Sequence, residues 1–200
     1  DLTGEERKKI AARMSYLAGK MRQEYRHSDY NNHVYLQRGP ILYAGLALAG
    51  DGIDDAFAQG AVREAEELLK EHFLPAVNQA GGQGDGGWHE SMSYFSFFAY
   101  ELAHELEAWR TATGEDLFPS CPGLRGAPAW LLHATRPHDG SLAPVGDIDT
   151  PAPWGWQEAG YLQLLAARYR DGLAQRAASL VALASLAAPE PACRAWPQVL

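Results

Sequence analysis

Apolar residues recur at helical spacing along most of the chain. In the first segment they stand at steps of three and four: Ile10, Met14, Leu17, Met21 and Tyr25. This is the spacing of one face of an α-helix, and Thr3 is a suitable N-cap for it. A second apolar stretch covers about residues 34–49. Pro40 lies within it and predicts a kink or a late helix start.

Two longer helices are predicted in the middle of the chain. One runs over about residues 55–78, with its apolar positions on one stripe: Phe57, Ala61, Ala65, Leu68 and Leu69. Its opposite face is charged and includes Glu64, which we expect in solvent. Residues 81–87 are too rich in glycine to continue it. The next helix begins near Ser91 and ends at Gly114, with its own stripe: Phe95, Phe98, Leu102, Leu106 and Trp109.

The last third of the chain mixes loops with helices. Prolines and glycines over residues 119–128 predict an irregular link, followed by a short helix over 129–135 and a long loop over 136–156. A final helical region is expected over 157–188, with a split at Asp171-Gly172. No segment alternates with period two. We therefore predict one all-α domain over residues 1–200, built from antiparallel helix pairs.

Composition and charge exclude several classes of protein. The formal net charge of −8 disfavours a general nucleic-acid surface. No run of about 18 apolar residues marks a membrane span, and the N-terminal residues lack the pattern of a signal peptide. Cys121 and Cys193 form no metal-binding motif. We expect neither a metal nor a cofactor, and no membrane partner.

Two segments beside predicted helix starts concentrate polar chemistry. The first reads Asn-Asn-His at 31–33, and an amide next to an imidazole at a helix N-terminus can hold a carboxylate. The second reads Gly-Gly-Trp-His-Glu at 86–90, just before the helix that carries Tyr94. Its glycines allow the backbone to approach a ligand closely. Each segment also has a structural explanation, an Asn cap in the first and a buried Tyr in the second.

Taken together and in this order, the two segments resemble the heparinase II/III-like and alginate-lyase superfamily of polysaccharide lyases. The resemblance covers about residues 29–118, including Gln37-Arg38 and the stretch 44–51, and continues weakly over 136–147. It implies an (α/α) toroid of paired helices, usually followed by a β-sandwich, and a periplasmic or extracellular location. Only about half a toroid's helices are present here, and no sandwich. We expect the chain to be a fragment of a larger toroid domain.

The resemblance implies β-elimination next to a uronic acid in an acidic polysaccharide. That reaction needs a neutralised carboxylate, a base for the α-proton and an acid for the leaving oxygen. Asn32 suits the first task, His33 the first or second, and Tyr94 the second or third. Six further residues are expected to bind the substrate: Arg38, Trp88, His89, Glu90, Trp154 and Trp156.

Two alternatives stay open. A glycoside hydrolase on a related helical toroid would use paired carboxylates, with three candidates: Asp85, Glu90 and Asp147. A non-catalytic helical module would bind sugar without cleaving it. The lyase hypothesis makes a geometric prediction: the His33 ring and the Tyr94 hydroxyl should lie within about 10 Å of each other, because both must reach one sugar ring.

Overall fold

The computed structural model describes residues 2–24, 32–79, 85–137, 141–146 and 156–187. Over these ranges the chain is helical: α1 (Gly4–Glu24), α2 (Asn32–Leu48), α3 (Asp55–Glu67), a π-helical segment (Leu68–Phe73), α4 (Leu74–Gln79), α5 (Ser91–Thr113), a 3₁₀ turn (Phe118–Ser120), α6 (Pro122–His133), α7 (Trp156–Tyr169) and α8 (Gly172–Ala187). Extended pairing within these ranges is limited to one isolated bridge, Thr135 with Leu142. The predicted all-α class is confirmed.

The predicted N-cap at Thr3 and the predicted split at Asp171-Gly172 are both confirmed. The Thr3 hydroxyl accepts a hydrogen bond from the Glu6 backbone N–H at 3.3 Å, and the Glu6 carboxylate accepts one from the Thr3 backbone N–H at 2.8 Å. This is a capping box. At the predicted split between α7 and α8, the Asp171 carboxylate accepts from the backbone N–H groups of Leu173 and Ala174 at 2.7 and 3.1 Å.

The second and third predicted helices differ from expectation in their interiors. α2 begins at Asn32 and continues through Pro40 to Leu48, so a late start is wrong. Contacts with α1, α3 and α5 hold the helix on both sides of the proline. The third helix has the expected extent, but residues 68–73 form a π-helical segment between α3 and α4. The apolar spacing of the sequence does not reveal this wider turn.

The predicted link at 119–128 is wrong for most of its length. α6 occupies Pro122–His133, because Pro122 lies in the first helical turn, where its missing N–H has no partner to lose. Pro128 is buried inside the same helix. Packing of α6 against α7 and α8 outweighs the local preference of the prolines and glycines for loops.

The core is organised around α5, as its stripe predicts. Phe95, Phe98, Leu102 and Leu106 are at most 1% exposed, and α5 contacts α2 on one side and α7 on the other. Burying each such side chain contributes roughly 1.5–3 kcal/mol. α7 and α8 pack against each other across a short link, which makes them antiparallel neighbours. None of the helices in the described ranges is both long and apolar enough to cross a membrane.

α2 and α5 run in the same direction. Asn32 at the start of α2 bonds to Glu90, directly before α5, and Gly39 further along α2 lies beside Glu101 and Glu105 of α5. The chain returns between them through α3 and α4. The starts of α2 and α5 therefore lie at the same end of the structure, where the two segments of interest are.

Candidate functional site

The carboxylate of Glu90 joins the two segments across 58 positions of sequence. Its Oε2 accepts from the Asn32 backbone N–H at 2.5 Å and from the Trp88 indole N–H at 3.1 Å. Its Oε1 accepts from Asn32 Nδ2 at 3.0 Å. We call these three residues the Glu90 clasp. Residues 32–33 and 86–90 therefore meet in space.

The Glu90 clasp supplies a hydrogen-bond acceptor for the start of α2. The first N–H groups of a helix have no partner within it, and Asn32 is only 5% exposed, so its own N–H needs an acceptor from the protein. A carboxylate supplies an acceptor and a negative charge at the positive end of the helix dipole. The sequence offers Asn32 itself as a cap, but in the structure the capping carboxylate belongs to Glu90, on the 85–90 loop. Because a carboxylate only accepts, it also sets which end of the Asn32 amide faces it.

Trp88 anchors the 85–90 loop in the core. Its ring is 4% exposed and stacks on Phe98, with centroids 4.1 Å apart and planes at 7°. The exposed ring of His89 lies beside the Trp88 ring, with the two centroids 4.6 Å apart. The face of Trp88 that was expected to stack on sugar is therefore packed on protein. His89 and Asp85 are the exposed residues of this loop.

The glycine at 86 serves a backbone crossing. A Cβ on Gly86 would lie 2.1 Å from the carbonyl carbon of Gly126 and 2.3 Å from the Ala127 nitrogen, and its φ is +97°. A Cβ on Gly126 would in turn lie 2.3 Å from the Asp85 carbonyl oxygen. The sequence indicated close approach to a ligand; in the structure the close approach is to α6. This contact fixes the loop that carries the clasp.

The remaining proposed catalytic residues lie on the first turns of the two helices. His33 follows Asn32 in α2 and is exposed, and Tyr94 is half-buried one turn into α5, packed on the core. The expected His33–Tyr94 separation stays a prediction. Trp154 and Asp147 lie outside the described residues, and so does the side chain of Trp156.

Arg38 takes part in a charged link between three helices. Its Nη1 donates to Glu64 Oε1 at 2.7 Å, while Arg22 Nε donates to Glu64 Oε2 at 2.5 Å. Arg38 is 9% exposed. Glu64 was assigned to a solvated face, but it is half-buried and connects α3 with α1 and α2. The guanidinium of Arg38 is thus engaged within the protein.

A pair of carboxyl groups on α5 was not identified from the sequence. Glu105 is 2% exposed, and its Oε1 has no hydrogen-bond partner among the described residues. A Cβ on Gly39 would lie 2.7 Å from this oxygen and 3.5 Å from Glu101 Oε2. Both carboxyl groups therefore point to one place above Gly39. The signal was present, because Glu105 lies three positions after Leu102 of the buried stripe and so shares its face of the helix.

Burial controls the titration of this pair. It raises the pKa of Glu105 well above the usual carboxyl range, and the charge of Glu101 adds to the effect. Burial also raises the pKa of Glu101. The pKa of Tyr43 on α2 is raised by burial first and then by the negative charges of both glutamates. The arrangement favours a neutral carboxyl at Glu105.

We expect Glu105→Gln to flatten the dependence of stability on pH. The folded-state pKa of Glu105 lies above its unfolded value of 4.5, so its stabilising effect is full below that value and is lost as pH rises through the folded-state pKa. The amide stays neutral, so at about pH 8 the variant should gain on the order of 1–3 kcal/mol over wild type. Denaturant unfolding from about pH 5 to about pH 8 measures this.

The matched control is the exposed Glu67→Gln, which should leave the pH dependence unchanged. Parallel pH profiles for wild type and Glu105→Gln would contradict a neutral, buried Glu105.

The described part of the chain contains no group of three or more His, Cys, Asp or Glu side chains that could hold a metal ion. Comparisons with protein-family models, with curated proteins and with solved structures found no match to this chain. A function for it therefore rests on its own residues.

Proposed function

We propose that the chain is a polysaccharide lyase acting on a uronate-containing glycan, with Asn32, His33 and Tyr94 at the site. The Glu90 clasp is the observation that supports this most directly. It brings together the two segments whose combination resembles the lyase superfamily, although 58 positions separate Asn32 from Glu90. His33 and Tyr94 extend from the helix turns that the clasp joins.

The proposed chemistry is a β-elimination. The base takes the proton from the carbon next to the uronate carboxylate, and the released electron pair forms the C4–C5 double bond. The C4–O bond breaks, and the leaving oxygen receives a proton from the acid. Stabilising the charge that develops on the carboxylate lowers the barrier to the first step. His33 and Tyr94 are the proposed proton carriers.

The different exposure of Asn32, His33 and Tyr94 indicates which step of the elimination each of them suits. Asn32 is 5% exposed, so a direct bond from its amide to a glycan carboxylate requires the 85–90 loop to shift. The exposed imidazole of His33 needs no such movement. His33 is therefore our first choice for the base that takes the α-proton of the incoming uronate, and the half-buried Tyr94 for the acid that protonates the leaving oxygen.

The test uses heparan sulfate, chondroitin, hyaluronan, alginate and glucuronan. Elimination leaves an unsaturated uronate, so we expect ultraviolet absorbance to rise with at least one of these glycans. His33→Ala should lower the rate by about 100-fold, the usual contribution of a general acid or base. His104→Ala is the control: this half-buried ring bonds the Tyr100 carbonyl at 2.7 Å and should keep the rate.

Shortened glycans without new absorbance would indicate hydrolysis and remove the lyase proposal. Binding without any cleavage would favour a non-catalytic module.

A further inference from the structure

Glu90 has a backbone role and a side-chain role at different helices. Its backbone is the N-cap position of α5, but its side chain makes no capping bond there. The side chain instead accepts three hydrogen bonds, two from Asn32 at the start of α2 and one from Trp88. One residue thus connects two helix starts that are distant in sequence.

The turn that follows Glu90 is strained. Ser91 has a φ of +71°, in the left-handed region that side-chain-bearing residues rarely adopt. Such a conformation is energetically unfavourable and persists only where surrounding contacts hold it. The Trp88 carbonyl accepts from the Ser91 N–H at 3.1 Å, and the stacked Trp88 ring and the Glu90 bonds hold the residues on its N-terminal side.

We propose that Glu90 is a positioning residue that sets the geometry between His33 and Tyr94. This inference rests on the proposed lyase function, and it differs from the expectation that Glu90 binds substrate. Both Glu90 oxygens accept donors from within the protein. His33 is next to Asn32 in α2, and Tyr94 is four residues, about one helical turn, beyond Glu90. A displacement of the clasp therefore moves both proposed proton carriers relative to each other.

The closest test is a double-mutant cycle with Glu90→Gln and Asn32→Ala. Gln has the shape of Glu but carries no charge, and one of its terminal atoms donates where the clasp needs an acceptor. We expect kcat to fall by about 100-fold, the effect of a small misplacement of catalytic groups, with KM changed by less than about threefold. The double variant should resemble Glu90→Gln, because Asn32→Ala removes one of the three bonds that Glu90→Gln already disrupts.

The NMR resonance of the Trp88 indole proton tests the clasp without depending on catalysis. The indole N–H of Trp88 donates to a charged acceptor, so its proton NMR resonance should move when Glu90→Gln removes that charge. The matched control is Glu107→Gln elsewhere on α5, which weakens the contacts of a partly buried carboxylate with Arg110 of α5 and Arg168 of α7. It should leave both kcat and the Trp88 resonance unchanged.

Each outcome has a clear meaning. A wild-type chain that yields no unsaturated uronate from any of the five glycans removes the proposed function and this inference with it. An active wild type with an unchanged kcat in Glu90→Gln, with additive effects in the cycle or with an unmoved Trp88 resonance, removes the positioning role alone. Should Glu90→Gln not fold, Trp88→Phe deletes one donor of the clasp and should lower kcat by about fivefold; an unchanged rate would overturn the inference.

Discussion

Gly86→Ala should strongly destabilise the chain. The added Cβ would lie 2.1 Å from the backbone of Gly126, which is far inside contact distance, and the φ of +97° is unfavourable for alanine. The obstacle is backbone inside a helix, so it cannot rotate away as a side chain would. We expect a loss of roughly 4 kcal/mol or more, a large share of the 5–15 kcal/mol that is typical of a domain. Thermal unfolding followed by circular dichroism measures it.

Two further glycine variants separate the effect of the close backbone approach from the effect of the positive φ. Gly126→Ala has no strained φ but meets the Asp85 carbonyl oxygen at 2.3 Å, so it should destabilise the chain through the close approach alone. Gly160→Ala is the control, because nothing lies within 4 Å of its Cβ and alanine favours a helix; a gain of about 0.5–1 kcal/mol is expected. A Gly86→Ala protein as stable as wild type would contradict the contact between the loop and α6.

Tyr94→Phe should abolish most of the proposed lyase activity and leave the fold in place. The ring is half-buried against the core, and Phe preserves that packing. Only the hydroxyl is lost, which should cost at most about 1.5 kcal/mol of stability. If the hydroxyl carries a proton in the elimination, the rate should fall by about 100- to 10,000-fold. The absorbance assay and a denaturation curve on the same preparation measure both quantities.

The control for this variant is the same substitution at Tyr169. Its hydroxyl donates to the Cys121 carbonyl at 2.8 Å, which is a structural bond between α7 and the residue before α6. Tyr169→Phe should lose about 1 kcal/mol of stability and keep the rate. Comparable activity in Tyr94→Phe and wild type would contradict a catalytic role for Tyr94, and it would not bear on the fold.

Several features of the candidate site depend on contacts with residues that the local sequence pattern does not predict. Asn32 was recognised as a residue for a helix start, but its partner Glu90 is 58 positions away. Trp88 was assigned to sugar stacking, and only its neighbour Phe98 shows that the ring belongs to the core. Glu105 was passed over because a charged residue is expected in solvent. Its burial results from the approach of α2 at Gly39.

What the sequence determined by itself is local. The apolar spacing predicted the extent of α1, α5 and the α7–α8 region, and Thr3 marked a helix start through its bond to the residue three positions on. Tertiary structure decided what depends on contacts between helices: the helix over Pro122–His133, the passage of α2 through Pro40, the crossing at Gly86 and the Glu90 clasp. The reason is physical. Periodicity and capping act within a turn or two of helix, whereas burial and pairing depend on which surfaces the folded chain brings together.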